Sequence, residues 1–308
     1  MPEYLMQGFQ SFYEVVWVFI VYAFLGWCTE VAYAALDTGR FVNRGFLNGP
    51  VCPIYGCGVV IVVSLLTPLK ENLAILFLGS VILTTLLELV VGWGLETLFH
   101  HQWWDYSMYP FNFKGYICLK FSIFWGLACT FIMDIFHPIV MKLIRFIPHL
   151  AGVVILVILM AVFVADCIIT VSTILKFNKR LRLLEDLQQQ LDKLSVGIGE
   201  NIYKNTTEAI EVSGKIKEDF EKHKEEFSTN LDERKQELEE KHEELTQKRE
   251  ELLQKYQEVL QQRTILQSRL LKAFPNMKSR TFKNSLEKLK DAKGIFPRMN
   301  FPRKYRKY

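Results

Sequence analysis

Several ionisable residues of this 308-residue chain lie inside or beside apolar stretches, where an uncompensated charge is costly. Glu30 lies in the first apolar stretch, and Arg40 and Arg44 follow in the short segment after it. Glu88 and Glu96 lie in the third stretch, two helical turns apart and so on nearly one helix face. Such groups normally face a bundle interior and pair there. The pattern predicts a polar, cytoplasm-facing binding site or, as the alternative, structural ion pairs that fasten the helices.

The segment between the third and fourth apolar stretches adds polar and aromatic residues. Trp104 belongs to an aromatic group typical of a membrane interface, and Asp105 and Asn112 place polar side chains nearby. The His100-His101 pair does not indicate a metal site, because adjacent helical residues point to different sides. No cofactor is predicted. With no GxxxxGK[ST] nucleotide loop and no nucleophile paired with a base, the sequence does not indicate an enzyme.

Apolar helices must position these residues, and the fold class predicted is all-α. A spanning helix needs about 20 apolar residues. A polytopic membrane domain over residues 1–175 is predicted from five stretches, namely 12–36, 51–69, 73–98, 116–136 and 149–175. The second is the shortest, so a re-entrant segment is the alternative there. Lys and Arg are richer in the loops after the first, third and fifth stretches, which predicts the N-terminus outside and the C-terminus inside.

The stretch that leaves the first apolar segment and enters the second resembles the bacterial ABC-transporter permease family of the CmpB type. The resemblance covers about the first 175 residues. It is carried by Gly26-Trp27 with Glu30, by the run NRGFL-x-GP-x-CP-x-YG over residues 43–56, by Trp104-Asp105-Tyr106-Ser107 with Pro110-Phe111-Asn112 and Gly115, and by Ser122 with Trp125-Gly126.

The resemblance implies transport across a prokaryotic cell membrane. Because the chain has no nucleotide loop of its own, ATP hydrolysis would have to come from a separate subunit. Membrane lipids are the other expected partners. Together, the residues and the resemblance give a candidate site of ten residues: Glu30, Arg40, Asn43, Arg44, Tyr55, Glu88, Glu96, Trp104, Asp105 and Asn112.

The remaining sequence is polar and helical in pattern. Residues 176–273 predict a cytoplasmic arm, with a hinge near 195–206 where Gly197 and Gly199 interrupt the apolar periodicity. Leucines recur every seven residues in a helix predicted over 207–273, but the partner column is basic. This favours a weak or partner-dependent coiled coil, with self-association as one form of it, over a single exposed helix. A tail over 274–308 carries 11 Lys or Arg against two acids, interleaved with aromatics. This composition favours anionic lipid or an acidic protein over nucleic acid, or a solvated disordered tail.

Three functions remain open from the sequence. The first is a transporter permease or a membrane domain that binds a small molecule or lipid at the polar site, with the arm serving assembly or regulation. The second is a membrane-anchored scaffold whose arm recruits partners. The third, and the least supported, is an enzyme that acts on lipid headgroups.

Overall fold

The computed structural model describes residues 8–219, 224–262 and 264–291, and it confirms the all-α prediction, with 79% of these described residues helical. The helices are α1 (Phe12–Thr38), α2 (Pro53–Leu66), α3 (Leu73–Phe99), α4 (Leu119–Phe131), α5 (His137–Phe146), α6 (His149–Asp219), α7 (Lys224–Gln261), α8 (Ile265–Ala273) and α9 (Lys283–Asp291). Two-residue strands are β1 (His101–Gln102), β2 (Asn112–Phe113), β3 (Ile117–Cys118) and β4 (Lys278–Ser279).

The first helices start and stop at residues suited to those positions. Ser11 precedes α1 and its side chain accepts from the Glu14 amide, and Asn72 precedes α3 and accepts from two amides. Helix α2 has Pro53 in its first turn, where a missing amide hydrogen costs nothing. Helix α1 ends at Gly39, whose φ of 69° is the left-handed geometry that glycine adopts freely.

Within the described residues, four helices are long and apolar enough to cross a membrane. They are Phe12–Thr38, Leu73–Phe99, Leu119–Phe146 and His149–Lys204. The third of these joins α4 and α5 through a π-helical segment over Ile132–Phe136, so it runs past the predicted end at 136. The second predicted span is a shorter apolar helix, Pro53–Leu69. The number of crossings and their orientation stay predictions.

The alternating helix directions give the bundle two distinct ends. The loop end carries residues 39–52 and 100–118, together with the polar continuation of α6. At the opposite end, Arg145 Nε lies 2.9 Å from Glu14 Oε1 and the rings of Tyr13 and His149 lie 4.9 Å apart. Segments far apart in sequence therefore converge at each end.

Two glycines allow α1 and α2 to cross closely. A Cβ on Gly26 would lie 2.3 Å from the ring of Tyr55, and a Cβ on Gly56 would lie 2.4 Å from the Phe19 carbonyl oxygen. Neither distance is compatible with a larger side chain in this arrangement. The crossing therefore fixes where Tyr55 stands against α1.

Helix α6 is continuous over His149–Asp219, so the helix does not break within 195–206, and the hinge predicted there stays a prediction. At 1.5 Å per residue this helix is on the order of 100 Å long. Helix α7 packs against α6 and runs back along it, since the carbonyl of Val259 lies 2.8 Å from Arg180 Nε near the base of the arm. The helix predicted over 207–273 is divided among α6, α7 and α8. The three predicted domain boundaries and self-association through the arm stay predictions.

Residues 265–291, which comprise α8, β4 and α9, return to the loop end and are called the C-terminal cover below. Strand β4 pairs antiparallel with β1, with His101 opposite Ser279. Leu181 of α6, Leu271 of α8 and Leu289 of α9 share one buried apolar cluster with Phe99. The first half of the predicted tail is thus folded, and residues 292–308 lie outside the described residues.

Candidate functional site

Glu30 is held by a tyrosine and an arginine at the loop end. The Tyr55 hydroxyl donates a hydrogen bond of 2.6 Å to Glu30 Oε1, and Arg44 Nε lies 3.9 Å from Glu30 Oε2. The Arg44 guanidinium also sits 5.5 Å from the ring centre of Tyr33. The predicted grouping of Glu30, Arg44 and Tyr55 is therefore present as a set of direct contacts.

Glu88 is the most deeply buried of the predicted acids, with 8% of the residue exposed. The Tyr106 hydroxyl donates to Glu88 Oε1 at 3.0 Å, and the Tyr106 ring stacks on Phe121. Among the described residues, no protein group lies within hydrogen-bond distance of Glu88 Oε2. Burial, followed by the negative charges of Glu88 and Glu30, raises the pKa of the Tyr106 phenol well above its usual value. Tyr106 therefore stays protonated, and its hydroxyl lies close enough to feel the charges of both Glu88 and Glu30.

Glu96 completes a set of three glutamates that each accept a hydrogen bond from a tyrosine. Its Oε2 accepts from the Tyr116 hydroxyl, and its Oε1 lies 2.8 Å from Arg280 Nε of the C-terminal cover. Trp104 donates from its indole nitrogen to the Tyr116 carbonyl at 2.8 Å, which holds this tyrosine in place. Glu88 and Glu96 thus lie on one side of α3, where residues 103–116 cover both.

Gly92, between Glu88 and Glu96 on α3, accommodates aromatic side chains. A Cβ there would lie 3.1 Å from the rings of both Trp104 and Tyr116. The close contact at Gly92 therefore comes from the loop-end segment, whose Trp104 and Tyr116 rings approach α3 there.

Asp105 connects the membrane-proximal segment with the C-terminal cover. It accepts hydrogen bonds of 2.9 Å from the amide and hydroxyl of Ser107, and it forms an ion pair with Lys278. Partial burial opposes its ionisation, but the hydrogen bonds from Lys278 and Ser107 outweigh that effect and lower the pKa of the carboxyl below its usual value. Asp105 is therefore a carboxylate that is already paired.

Two predicted site residues organise loops. Asn43 Oδ1 accepts from the Trp27 indole nitrogen at 2.8 Å, and the Asn43 side-chain amide donates to the Asn48 carbonyl at 2.8 Å. Asn112 donates to the Tyr109 carbonyl at 2.7 Å and so closes the turn that leads into β2. The exposed Arg40 side chain has no hydrogen bond or ion pair to the acids of the part of the chain that the structure describes.

Asp166 of α6, whose role the sequence left undecided, anchors the loop between α1 and α2. Its carboxylate accepts from the amides of Asn48 and Gly49, at 3.1 and 2.7 Å, and from the Asn48 side chain at 2.9 Å. Two backbone amides and a side-chain amide satisfy a carboxylate without a basic partner. A single acid in an apolar helix, opposite a Gly-Pro turn, is the sequence signal that could have suggested it.

The sequence did not identify the three basic residues of the C-terminal cover that reach this site. Arg269 donates to the carbonyls of Gly45 and Phe46, at 2.9 and 3.1 Å, while Lys278 and Arg280 pair with the two acids described above. Their separation from the site by more than 150 residues leaves no local pattern to find. The cover therefore brings positive charge onto the acidic loop end.

The family model described as "Putative ABC-transporter type IV" matches residues 17–171. The chain belongs to this family. The matched segment begins within α1 and ends within α6, so it holds all ten predicted site residues and excludes the arm and the C-terminal cover. Neither the search of curated proteins nor that of solved structures gave a match. The resemblance seen in the sequence is confirmed. The chain has several apolar helices and is a member of a family of membrane transporter components.

Proposed function

We propose that this protein is the membrane component of a transporter and that it binds a small solute or a lipid headgroup at the loop end. One observation carries the proposal: Glu30, Glu88 and Glu96 each accept a tyrosine hydroxyl at the same end of the bundle. Ionisable groups that lie at membrane depth and face the bundle interior are typical of transport pathways. Tyrosine hydroxyls can exchange an acid for a ligand without moving a charge.

We propose that the loop end faces the cytoplasm. Arg40, Arg44 and Lys114 lie in its loops, and the α6 continuation adds further Lys and Arg directly after the apolar stretch. The opposite end has Lys70, Lys142 and Arg145. The richer set lies inside by the positive-inside rule. A separate ATPase subunit would dock on the same side, where the arm also projects.

The proposed role of the arm is regulation of this site. The C-terminal cover places Lys278 on Asp105 and Arg280 on Glu96, so a ligand with positive charge must compete with the cover for these acids. A partner that pulls on the α6–α7 pair would lift the cover, since α8 follows α7 closely. Partner binding to the arm would then open the site.

Binding by the full-length protein in lipid nanodiscs tests the proposal. Native mass spectrometry of protein purified gently from its own membranes reports solutes and lipids that stay bound, as well as any ATPase. We expect Glu30→Gln to lose the bound species while its elution profile and thermal unfolding stay normal. Asp37→Asn is the matched control, because it removes an exposed acid from the same helix. Unchanged retention by Glu30→Gln, Glu88→Gln and Arg44→Gln would refute the proposal.

A scaffold is the second candidate, and the α6–α7 pair favours it. The part of α6 beyond Phe177 alone extends about 60 Å at 1.5 Å per residue, which suits a spacer or docking platform. The scaffold predicts that site variants retain function while disruption of the arm abolishes it. Full activity in Glu30→Gln, combined with loss of activity when the α6–α7 contact is broken, would favour the scaffold.

A further inference from the structure

Helix α3 carries a file of polar residues through an otherwise apolar span. Ser80, Thr84 and Glu88 recur every four residues and so lie within about 80° of one another around the helix axis. Ser80 is fully buried, and its hydroxyl oxygen has no hydrogen-bond partner among the described residues. From Ser80 to Glu88 the file extends about 12 Å along the helix. It leads from the interior of the bundle to the loop end.

Glu88 differs from the other buried acids in what balances its charge. Glu14, Glu30 and Glu96 each have an arginine nitrogen within 4 Å, in the order Arg145, Arg44 and Arg280. Asp105 forms an ion pair with Lys278, and Asp166 accepts hydrogen bonds from backbone amides. Glu88 receives the Tyr106 hydroxyl alone on Oε1, and Oε2 is buried without a protein partner within the described residues.

The groups that face Glu88 supply no positive charge. Tyr106 comes from the loop-end segment, and the charges that act on Tyr106 in turn are those of Glu30 on α1 and Cys118 on β3. The Tyr55 hydroxyl on α2 interacts electrostatically with both Glu30 and Tyr106. An ionised carboxylate buried without a partner costs several kcal/mol, whereas the neutral acid costs far less.

From this placement we infer that Glu88 is a proton-binding site of the membrane domain. With Tyr106 hydrogen-bonded over it, the carboxylate takes up one proton from water to become a carboxylic acid. When the segment that carries Tyr106 moves away and water enters, the same O–H bond breaks and the proton returns to water. The polar file on α3 gives the proton a direction of travel. The use of this proton in transport rests on the proposed function, but its binding does not.

A divalent metal fits this location less well than a proton. Zinc takes four protein or water ligands and calcium takes six to eight oxygens. No group of three His, Cys, Asp or Glu side chains able to hold a metal occurs in the described ranges. The only charged ligand at Glu88 would be Glu88 itself, and a single carboxylate is balanced by a single proton.

Infrared difference spectroscopy of the full-length protein in nanodiscs tests this inference. We expect a carboxylic-acid C=O band that is present at neutral pH, shifts in heavy water and disappears as the pH rises. The band should be absent in Glu88→Gln, whose amide replaces a neutral acid at equal size. The matched control is Glu14→Gln: Glu14 is equally buried but paired with Arg145, so its removal should leave the band in place.

Tyr106→Phe keeps the test decisive if Glu88→Gln folds poorly. Loss of the hydroxyl removes the hydrogen bond to Oε1, so the same band should move to higher frequency while keeping its intensity. Absence of the band from the wild-type protein at neutral pH, or its persistence in Glu88→Gln, would overturn the inference. Because no solute is needed, a failure of solute binding leaves this result unaffected, and the two proposals fail separately.

Discussion

The two ion pairs of the C-terminal cover should control how often the loop end opens. Lys278 and Arg280 contact Asp105 and Glu96, but their side chains remain 63% and 71% exposed, so water screens both pairs. Exposed pairs contribute about 0.2–1 kcal/mol each. Removing both in Lys278→Gln/Arg280→Gln should therefore cost about 0.4–2 kcal/mol, which multiplies the population of the open state by roughly 2 to 30.

Hydrogen exchange read by mass spectrometry on the full-length protein measures this opening directly. The amides of β4 and α9, together with those of β1 opposite β4, should exchange roughly 2 to 30 times faster in the double variant. The matched control is Lys283→Gln, which removes an exposed lysine from α9 and should leave the rates unchanged. Wild-type rates in the double variant, or equal acceleration in the control, would refute the assignment of these pairs as the closing contacts.

Salt and acid should act on the same equilibrium. About 1 M salt shortens the screening length to about 3 Å, so it should speed exchange in the wild-type protein and have little effect on the double variant. The pKa of Asp105 is lowered in the folded protein, so its pair stabilises the cover above the ordinary carboxyl pKa. That stabilisation is lost as the pH falls through the lowered value. By contrast Leu289→Ala, in the fully buried apolar cluster, should cost about 2–5 kcal/mol independently of salt.

Three further predictions concern the elements that surround the site. Gly26→Ala places a methyl group against the Tyr55 ring. We therefore expect the free energy of unfolding, followed by thermal unfolding, to fall by about 1–3 kcal/mol, and any species bound at Glu30 to be lost. Burial lowers the pKa of His101 to about 4, so the folded protein holds it neutral, and unfolding becomes easier as the pH falls from about 6.5 towards 4. Denaturant titrations at pH 7 and 5 should show this drop in wild type and a smaller one in His101→Gln. Asp166→Asn keeps the size but weakens the bonds to the Asn48 and Gly49 amides, so proteolysis within residues 43–50 should be faster than in wild type.

Much of the fold could be predicted because the start of a helix is marked by a few adjacent residues in the sequence. The predicted starts at 12, 73 and 149 coincide with the observed ones, since Ser11 and Asn72 cap two of these helices and Pro148 precedes the third. The end of the stretch predicted over 116–136 was placed too early, since the observed helix is Leu119–Phe146. His137-Pro138 reads as a boundary, yet the helix continues because a π-helical turn before it absorbs the change in hydrogen bonding.

The candidate site was predictable in its acids and not in their partners. Glu30, Glu88 and Glu96 stand out because a charge in an apolar stretch is rare. Tyr106 belongs to the aromatic group that was interpreted as interfacial, since a tyrosine at that depth needs no other explanation, and Tyr116 was given no role. Which hydroxyl reaches which carboxylate depends on a turn closed by Asn112 and Gly115, and no periodic pattern encodes it.

The heptad pattern of the arm was interpreted as a surface for another chain, and here α6 of the same chain contacts it. A leucine repeat records that one helix face is apolar without recording what covers it. Gly197 and Gly199 interrupt the apolar periodicity, yet α6 does not end at either of them. Glycine weakens a helix by about 1 kcal/mol, and the helix continues through both positions, where neither glycine has a neighbour that requires its small size.

The boundary of the family segment divides the charges of the site unequally. Glu96 and Asp105 lie within residues 17–171, whereas Lys278 and Arg280, which balance them, lie far outside. Without the C-terminal cover, the negative charges of these two acids at the loop end are therefore not balanced. In this chain the C-terminal cover supplies the positive charges, and a ligand that replaces the cover must supply them instead. We therefore expect the solute or headgroup admitted there to carry a basic group, and a purely anionic ligand bound with the cover open would contradict that expectation.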